Sequence, residues 1–263
     1  MDLRYDLHTH TTYSDGWEWG EMAQAAADAG LSGIGFTDHC AIGPDAFGRR
    51  ERYDLVETFE ARRSEFLDGH GSGIRIFDAA EISYAPAKES EIAEFLAEAE
   101  FEYVIGSVHF GDRFNYSQPG MADASEAERR QAVETYVDHQ IALIESELFD
   151  VIGHLDLVQR SPELRGLMTR SEYERIAIAL SRHDCLPELN AGRLDRAYGT
   201  VHPPPEHLDL FAEREIPFVI GTDAHAPDQL RSRLRLLGEC VPDLPVQVVD
   251  VPPGVEGLIL AEQ

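Results

Sequence analysis

The run FEYVIGSVHF, residues 101–110, carries the pattern that decides the fold. Its centre, Tyr103–Ser107, is an apolar segment of strand length, and it delivers a histidine, His109, just past its end. Similar short apolar runs stand near Arg4–Leu7, Gly33–Thr37, Ile74–Ala79, Asp150–Gly153, Cys185–Leu189 and Pro217–Gly221. Between them, apolar residues recur at three- and four-residue spacing, as in Val133, Val137, Ile141 and Ile144, which predicts helices. These fall near Glu18–Ala29, Asp54–Asp68, Glu89–Glu98, Glu126–Glu147, Arg170–Arg182, Pro205–Arg214 and Ala226–Gly238. Seven strand-helix units predict an α/β chain with a closed or nearly closed parallel barrel, an open doubly wound sheet being the alternative. The connections Ala41–Arg52 and Gly111–Ala124 follow strands, so in a barrel they would overlie the catalytic face as lids.

At 263 residues the chain can bury a substantial core, and a single domain spanning 1–263 is the default expectation. Charge is the unusual feature: 22 Lys and Arg face 49 Asp and Glu, a net −27. That excludes a duplex-binding surface as the natural reading. Lys88 is the sole lysine, and the acidic residues are spread along the chain. This pattern points to a halophilic protein whose hydrated acidic surface depends on counterions to screen its self-repulsion, an acidic mesophilic enzyme being the alternative. Cys40, Cys185 and Cys240 are odd in number and far apart, indicating neither a disulfide framework nor a zinc knuckle. No basic-then-apolar leader precedes Asp6, and no apolar run reaches membrane-spanning length, so a cytoplasmic location without membrane association is expected.

The strand ends carry the chemistry. His8, His10 and the nearby Asp15, then His39, Glu81, His109, His154, Asp223 and His225, are all metal-ligand types. Alternate residues of an extended segment point the same way, so His8 with His10, and Asp223 with His225, can each address one centre. Parallel barrel strands bring their carboxyl ends to one face whatever their separation in sequence. A lone histidine after a strand is usually a hydrogen-bonded or surface residue, and His70, His139, His183, His202 and His207 are read that way. Chance placement of nine ligand types at six of seven strand ends is a strained account. Mixed imidazole and carboxylate donors suit zinc, iron or manganese, and nine donors suit two or three ions sharing a bridging carboxylate, for which Glu81 is the candidate.

The motifs DLHTHTTYSDG at Asp6–Gly16, TDH at Thr37–His39, SVHF at Ser107–Phe110, GHLD at Gly153–Asp156 and TDAH at Thr222–His225 together resemble the polymerase and histidinol phosphatase (PHP) superfamily. AEISYAP at Ala80–Pro86, GHLDLVQR at Gly153–Arg160 and ELN at Glu188–Asn190 are most similar to histidinol-phosphate phosphatases. The resemblance implies a distorted seven-unit TIM-like barrel, a trinuclear metal centre and phosphoesterase activity. Ala79-Ala80 stand where a glycine often precedes the glutamate, and the acidic, nearly lysine-free surface is not a family trait; neither departure removes a ligand.

The expected reaction is hydrolysis of a small phosphate monoester, L-histidinol phosphate first among them, by a hydroxide bridging the metals. Three divalent ions would outweigh Asp15, Glu81 and Asp223, leaving a positive centre inside an acidic protein. Arg160, Arg193 and Arg196 follow the fifth and sixth strands and are candidate phosphate clamps, Arg160 and Arg193 foremost. Asp156 is a candidate to orient a ligand or protonate the departing alkoxide and Asp38 to orient His39, although for both an ordinary supporting role behind the ligands is the stronger expectation, and Glu188 or Asn190 could bind a substrate amine. The alternatives are a phosphoesterase acting on nucleotides or oligonucleotide ends, and a noncatalytic metal-binding module. No basic track for a nucleic-acid strand is present.

Overall fold

A computed structural model of the chain describes residues 3–42, Arg62, 73–111, 115–196, 198–252 and Val255. The expected helix near Asp54–Asp68, Arg62 apart, and most of the segment Ala41–Arg52 lie outside the described residues. Seven strands form one parallel sheet in sequence order: β1 (Tyr5–Thr9), β2 (Gly33–Cys40), β3 (Arg75–Ser83), β4 (Tyr103–Ser107), β5 (Val151–Ile152), β6 (Leu186–Asn190) and β7 (Val219–Gly221). Around them run α1 (Trp19–Asp28), α2 (Glu89–Ala99), α3 (Glu126–Glu145), α4 (Arg170–Leu180), α5 (Asp209–Ala212) and α6 (Pro227–Cys240). The sheet curls until β7 meets β1, where Asp223 N–H donates to His8 O at 2.7 Å and His10 N–H to Ala224 O at 2.9 Å. The result is a distorted (β/α)7 TIM-like barrel, as the seven alternating units predict, rather than the open sheet.

Alternation along the strands builds the site. Tyr5, Leu7, Phe77, Ala79, Tyr103, Ile105, Val151, Leu186 and Val219 form one buried apolar cluster with Val251 and Val255. Further along the same strands, in two-residue steps, stand Glu81, Ser107, Gly153, Glu188 and Gly221, where polar or small residues replace the apolar fill. In β1 the register slips between Asp6 and Thr9, a bulge that breaks the two-residue period. Leu7 therefore joins the apolar cluster while His8 and His10 also turn to the interior. The other face of β2, with Ile34 and Phe36, packs on Met22, Ala23 and Ala26 of α1 and Leu230 and Leu234 of α6.

Two helices start on reciprocal capping boxes: Ser125 with Glu128, and Thr169 with Glu172, each bond to one another's N–H and satisfy otherwise unpaired groups. The helix expected over Pro205–Arg214 is broken into a 3-10 turn, Pro205–His207, and the four-residue α5. Pro205 opens the first turn, where its missing N–H costs nothing, and Glu215, at φ +55°, ends the segment. Within Gly111–Ala124, Tyr116 is 1% exposed and packs edge-on against Tyr136 of α3, so this connection is anchored to a helix instead of lying free over the barrel. No helix among the described residues is long and apolar enough to cross a membrane.

Candidate metal centre

Glu81, 1% exposed, sits at the middle of the strand ends. Its Oε2 lies 2.8 Å from His39 Nδ1, 3.4 Å from His8 Nε2 and 3.7 Å from His10 Nε2. Its Oε1 lies 3.0 Å from His154 Nε2 and 3.2 Å from His109 Nε2, and accepts from Ser107 Oγ at 2.6 Å. One carboxylate thus faces five imidazoles drawn from four strand ends. Burial alone would raise this carboxyl, but the imidazoles of His109, His8 and His39 hold it well below the usual carboxylate range.

Three overlapping groups offer donor atoms within 4.8 Å of one another: His10, Asp15, His39 and His225; His8, His10 and Asp223; His39, Glu81 and His109. His154 joins them through Glu81. All nine strand-end residues singled out in the sequence therefore converge on one cavity, with Asp15, His39 and His225 on its more open side.

Protonation states fit cation binding with one exception. Burial, with His225 and His39 alongside, drops His10 to about 3, and burial also lowers His154, so both rings present lone pairs. Burial opposes ionisation of Asp15 and Asp223, yet His225 brings Asp15 to about 2, and Arg160 and His10 hold Asp223 well below its ordinary value. His8 departs from this: burial disfavours its charge, but Glu188 and Glu81 overcome that and raise it well above the ordinary value. A cation at this position must displace that proton. His8 Nε2, both ring nitrogens of His10 and His154 Nδ1 are buried without a hydrogen bond. Buried polar atoms without partners are uncommon, and His8 Nε2 and His10 Nε2, turned toward Glu81 and Asp223, stand where a divalent ion would take them as donors.

Supporting contacts fix the donors. Glu188 Oε1 and Oε2 lie 2.9 and 3.1 Å from His8 Nδ1, which turns Nε2 toward Glu81. Ser83 Oγ lies 2.9 Å from His109 Nδ1. Asp223 holds φ +52°, a left-handed conformation that aspartate tolerates better than most residues. Arg233 secures that turn by donating to the carbonyls of Thr222 at 3.0 Å and Asp223 at 2.6 Å. Gly192 passes so close that a Cβ there would stand 2.4 Å from Asp223 Oδ2 and 2.5 Å from Arg160 Nη2.

Several sequence expectations for residues around the ligands are corrected. Asp38 does not orient His39: it shares the outward face of β2 with Ile34 and Phe36. There it accepts from Thr11 N–H at 2.6 Å, Thr11 Oγ1 at 2.7 Å, Ser14 Oγ at 2.7 Å and Arg62 Nε at 3.1 Å. It therefore shapes the loop that presents Asp15. Glu188 and Asn190, candidates for a substrate amine, are both buried and engaged with the protein's own groups. Glu188 binds His8, the His154 N–H at 3.2 Å and Asn190 Nδ2 at 2.9 Å, while Asn190 Oδ1 accepts from Arg160 and Gly192. Asp156 is fully buried with one oxygen on His202 Nδ1 and the other accepting from Tyr173, both at 2.7 Å, contacts that suit the supporting role. Arg196 turns to Asp195 at 3.8 Å on the surface, away from a clamping position.

Arg160 and Arg193 remain at the cavity. Arg160 Nη2 donates to Asp223 Oδ2 at 2.8 Å and Asn190 Oδ1 at 2.9 Å. The Arg193 side chain makes no hydrogen bond or ion pair among the described residues; partial burial and the neighbouring Arg160 hold it below its ordinary value. His202, dismissed in the sequence as an ordinary histidine, is fully buried beside Arg160. Its place in VHPPP, a proline-rich connection without freedom to fray, was the one signal available.

A family model described as the PHP domain matches residues 6–190. A probable histidinol-phosphatase of Deinococcus radiodurans is 30% identical over 240 residues, covering 87% of this chain and 88% of that protein. Among solved structures, the histidinol phosphate phosphatase of Lactococcus lactis, crystallised with zinc, L-histidinol and phosphate, superposes with a TM-score of 0.74 at 23% identity. The match covers 96% of this chain and 98% of that one. A putative histidinol phosphatase of Listeria monocytogenes gives 0.71 at 20% identity over 86% of this chain and 97% of that one. These two likenesses bear on the fold.

Proposed function

The chain belongs to the PHP domain family, and on that footing we propose that it hydrolyses L-histidinol phosphate to L-histidinol and phosphate using two or three divalent ions of zinc, iron or manganese. The observation that carries this reading is Glu81, a buried carboxylate whose two oxygens divide five imidazoles between them, as a bridging ligand would. The substrate rests on the Deinococcus relative, which matches over most of both chains.

His8, His10, Asp15, His39, Glu81, His109, His154, Asp223 and His225 would hold the ions. When bound, divalent ions supply Lewis acidity to phosphoryl oxygens and make water acidic enough to act as a nucleophile near neutral pH. The chain's own residues do the rest. Ionised Glu81 and Asp223 and neutral His10 need no deprotonation to act as donors, whereas His8 must first release its proton. Arg193 and the Nη1 edge of Arg160 provide the forked donors that phosphate takes. Among the described residues the Arg193 guanidinium has no carboxylate in an ion pair with it, which supports an anion site.

The test is steady-state turnover of L-histidinol phosphate, p-nitrophenyl phosphate and nucleotide 3′,5′-bisphosphates by zinc- or manganese-loaded protein. Preference for histidinol phosphate is expected, and preference for the bisphosphates would overturn the substrate assignment. Glu81→Gln and His154→Ala should abolish activity while the barrel stays folded in high salt. Near-normal turnover in either variant would refute the metal assignment.

A further inference from the structure

Behind Arg160 lies a polar line that the reaction as described does not use. His202 is pinned beside β6 by two backbone hydrogen bonds with Asn190, each 2.9 Å, and the Tyr198 ring lies flat on its imidazole at 4.6 Å and 8°. Its Nδ1 is 2.7 Å from Asp156 Oδ1, and its Nε2 is 3.4 Å from Arg160 Nε. A guanidinium only donates, so Nε2 must carry the lone pair and Nδ1 the hydrogen. The direction of each bond is therefore fixed: Arg160 donates to His202, His202 donates to Asp156, and Tyr173 donates to the other Asp156 oxygen at 2.7 Å. Arg160 is gripped on a second edge, where Nη2 meets Asn190 and Asp223. Its Nη1 makes no hydrogen bond among the described residues.

We propose that His202 and Asp156 form a positioning pair that fixes the plane of the Arg160 guanidinium, so that Nη1 is presented to the substrate phosphate. This rests on the phosphate-clamp reading above. A guanidinium held on two edges loses little freedom when a phosphate arrives on the third, and preorganisation of this kind strengthens binding without adding a contact. Neither residue touches substrate or metal. Asp156 gives His202 its tautomer, and His202 gives Arg160 its orientation.

The experiment compares Arg160→Ala, His202→Ala, His202→Gln, His202→Asn and the Arg160→Ala/His202→Ala double variant, each with its metal content measured. The readouts are inhibition by inorganic phosphate and the separate KM and kcat for p-nitrophenyl phosphate. His202→Ala should weaken phosphate inhibition about tenfold, the scale of one hydrogen bond to a charged group, raising KM more than it lowers kcat and leaving metal content unchanged. Glutamine places an acceptor where Nε2 stands and should restore most of the affinity; asparagine preserves the bond to Asp156 alone and should behave like alanine. In the Arg160→Ala background the His202 change should add almost nothing. If Arg160→Ala weakens phosphate inhibition and His202→Ala or His202→Asn does not, the positioning role is wrong while the clamp stands. Effects of the two residues that multiply would also overturn it. If Arg160→Ala itself leaves inhibition unchanged, the clamp reading fails and this inference falls with it.

Discussion

Replacing Glu188 by glutamine keeps the volume of the side chain and removes its charge, so it isolates what this buried carboxylate does for His8. Its two oxygens accept from His8 Nδ1 at 2.9 and 3.1 Å, from Asn190 Nδ2 at 2.9 Å and from the His154 N–H at 3.2 Å. An amide offers one oxygen and one NH2. Whichever way it is turned, a donor faces a donor, either toward His154 or toward Asn190 and His8. Loss of an outer partner of a metal-ligating histidine costs about 10–100-fold in metal affinity, equivalent to about 1.4–2.8 kcal/mol. That agrees with the roughly 1.5–3 kcal/mol of one hydrogen bond to a charged group. A second effect runs the other way. Glu188 helps raise His8 well above its ordinary pKa, so the amide also loosens the proton that a metal must displace. Proton competition fades as pH rises and the lost orientation does not, so the variant's deficit should widen from pH 6.5 to 8.5. Zinc affinity would be measured at several pH values by competition with a chromogenic chelator. Affinity within about twofold of wild type across that range would refute the argument that Glu188 orients His8.

Three further outcomes are expected. Gly221→Ala would place a Cβ 1.7 Å from Glu188 Oε1 and 2.7 Å from His8 Cβ. It should cost about 1–3 kcal/mol in denaturant unfolding and lower zinc occupancy; a variant as stable and as fully loaded as wild type would contradict the packing. With a net charge of −27, the protein should lose thermal stability as KCl is withdrawn, and a melting temperature constant from low to multimolar salt would remove the halophilic reading. Burial pushes the Cys185 thiol up to about 12. The folded state therefore favours the protonated thiol, and stability from this group is present below its unfolded pKa of 9.0 and lost as pH rises from there toward 12. Iodoacetamide at pH 8 should leave Cys185 unmodified until denaturant is added, and labelling of the native protein, mapped by mass spectrometry, would show that the burial is wrong.

The barrel and the clustering of its nine strand-end residues were legible because they rest on periodicities the sequence carries openly. Apolar runs of strand length recur, and each strand end needs only its own local residues to be recognised as a donor. Depth and facing were less legible. Alternation in GIGFTDHC assigns His39 inward and Asp38 outward once Ile34 and Phe36 are known to meet helices, but the sequence alone does not say which face is which. Glu188 stands two residues before the end of its strand as Glu81 does, yet its carboxylate is enclosed, because Gly153 and Gly221 leave the space it occupies. His202 belongs to no strand and reaches the site through an antiparallel bridge to Asn190, a contact no periodicity announces. The bulge in β1 was likewise invisible, although it is what lets Leu7 and His8 both turn inward.

The meeting of β1 and β7 rests on a single bridge, Thr9 with Ala224, rather than a full ladder. His8 and His10 stand on one side of that gap, Asp223 and His225 on the other. Ions shared across it would act as a clasp, fastening the chain's opening strand to its closing one by coordination where amide pairing is sparse. Chemistry and ring closure would then depend on one set of bonds, and a barrel stripped of its cations would be weakest where its two halves were last joined.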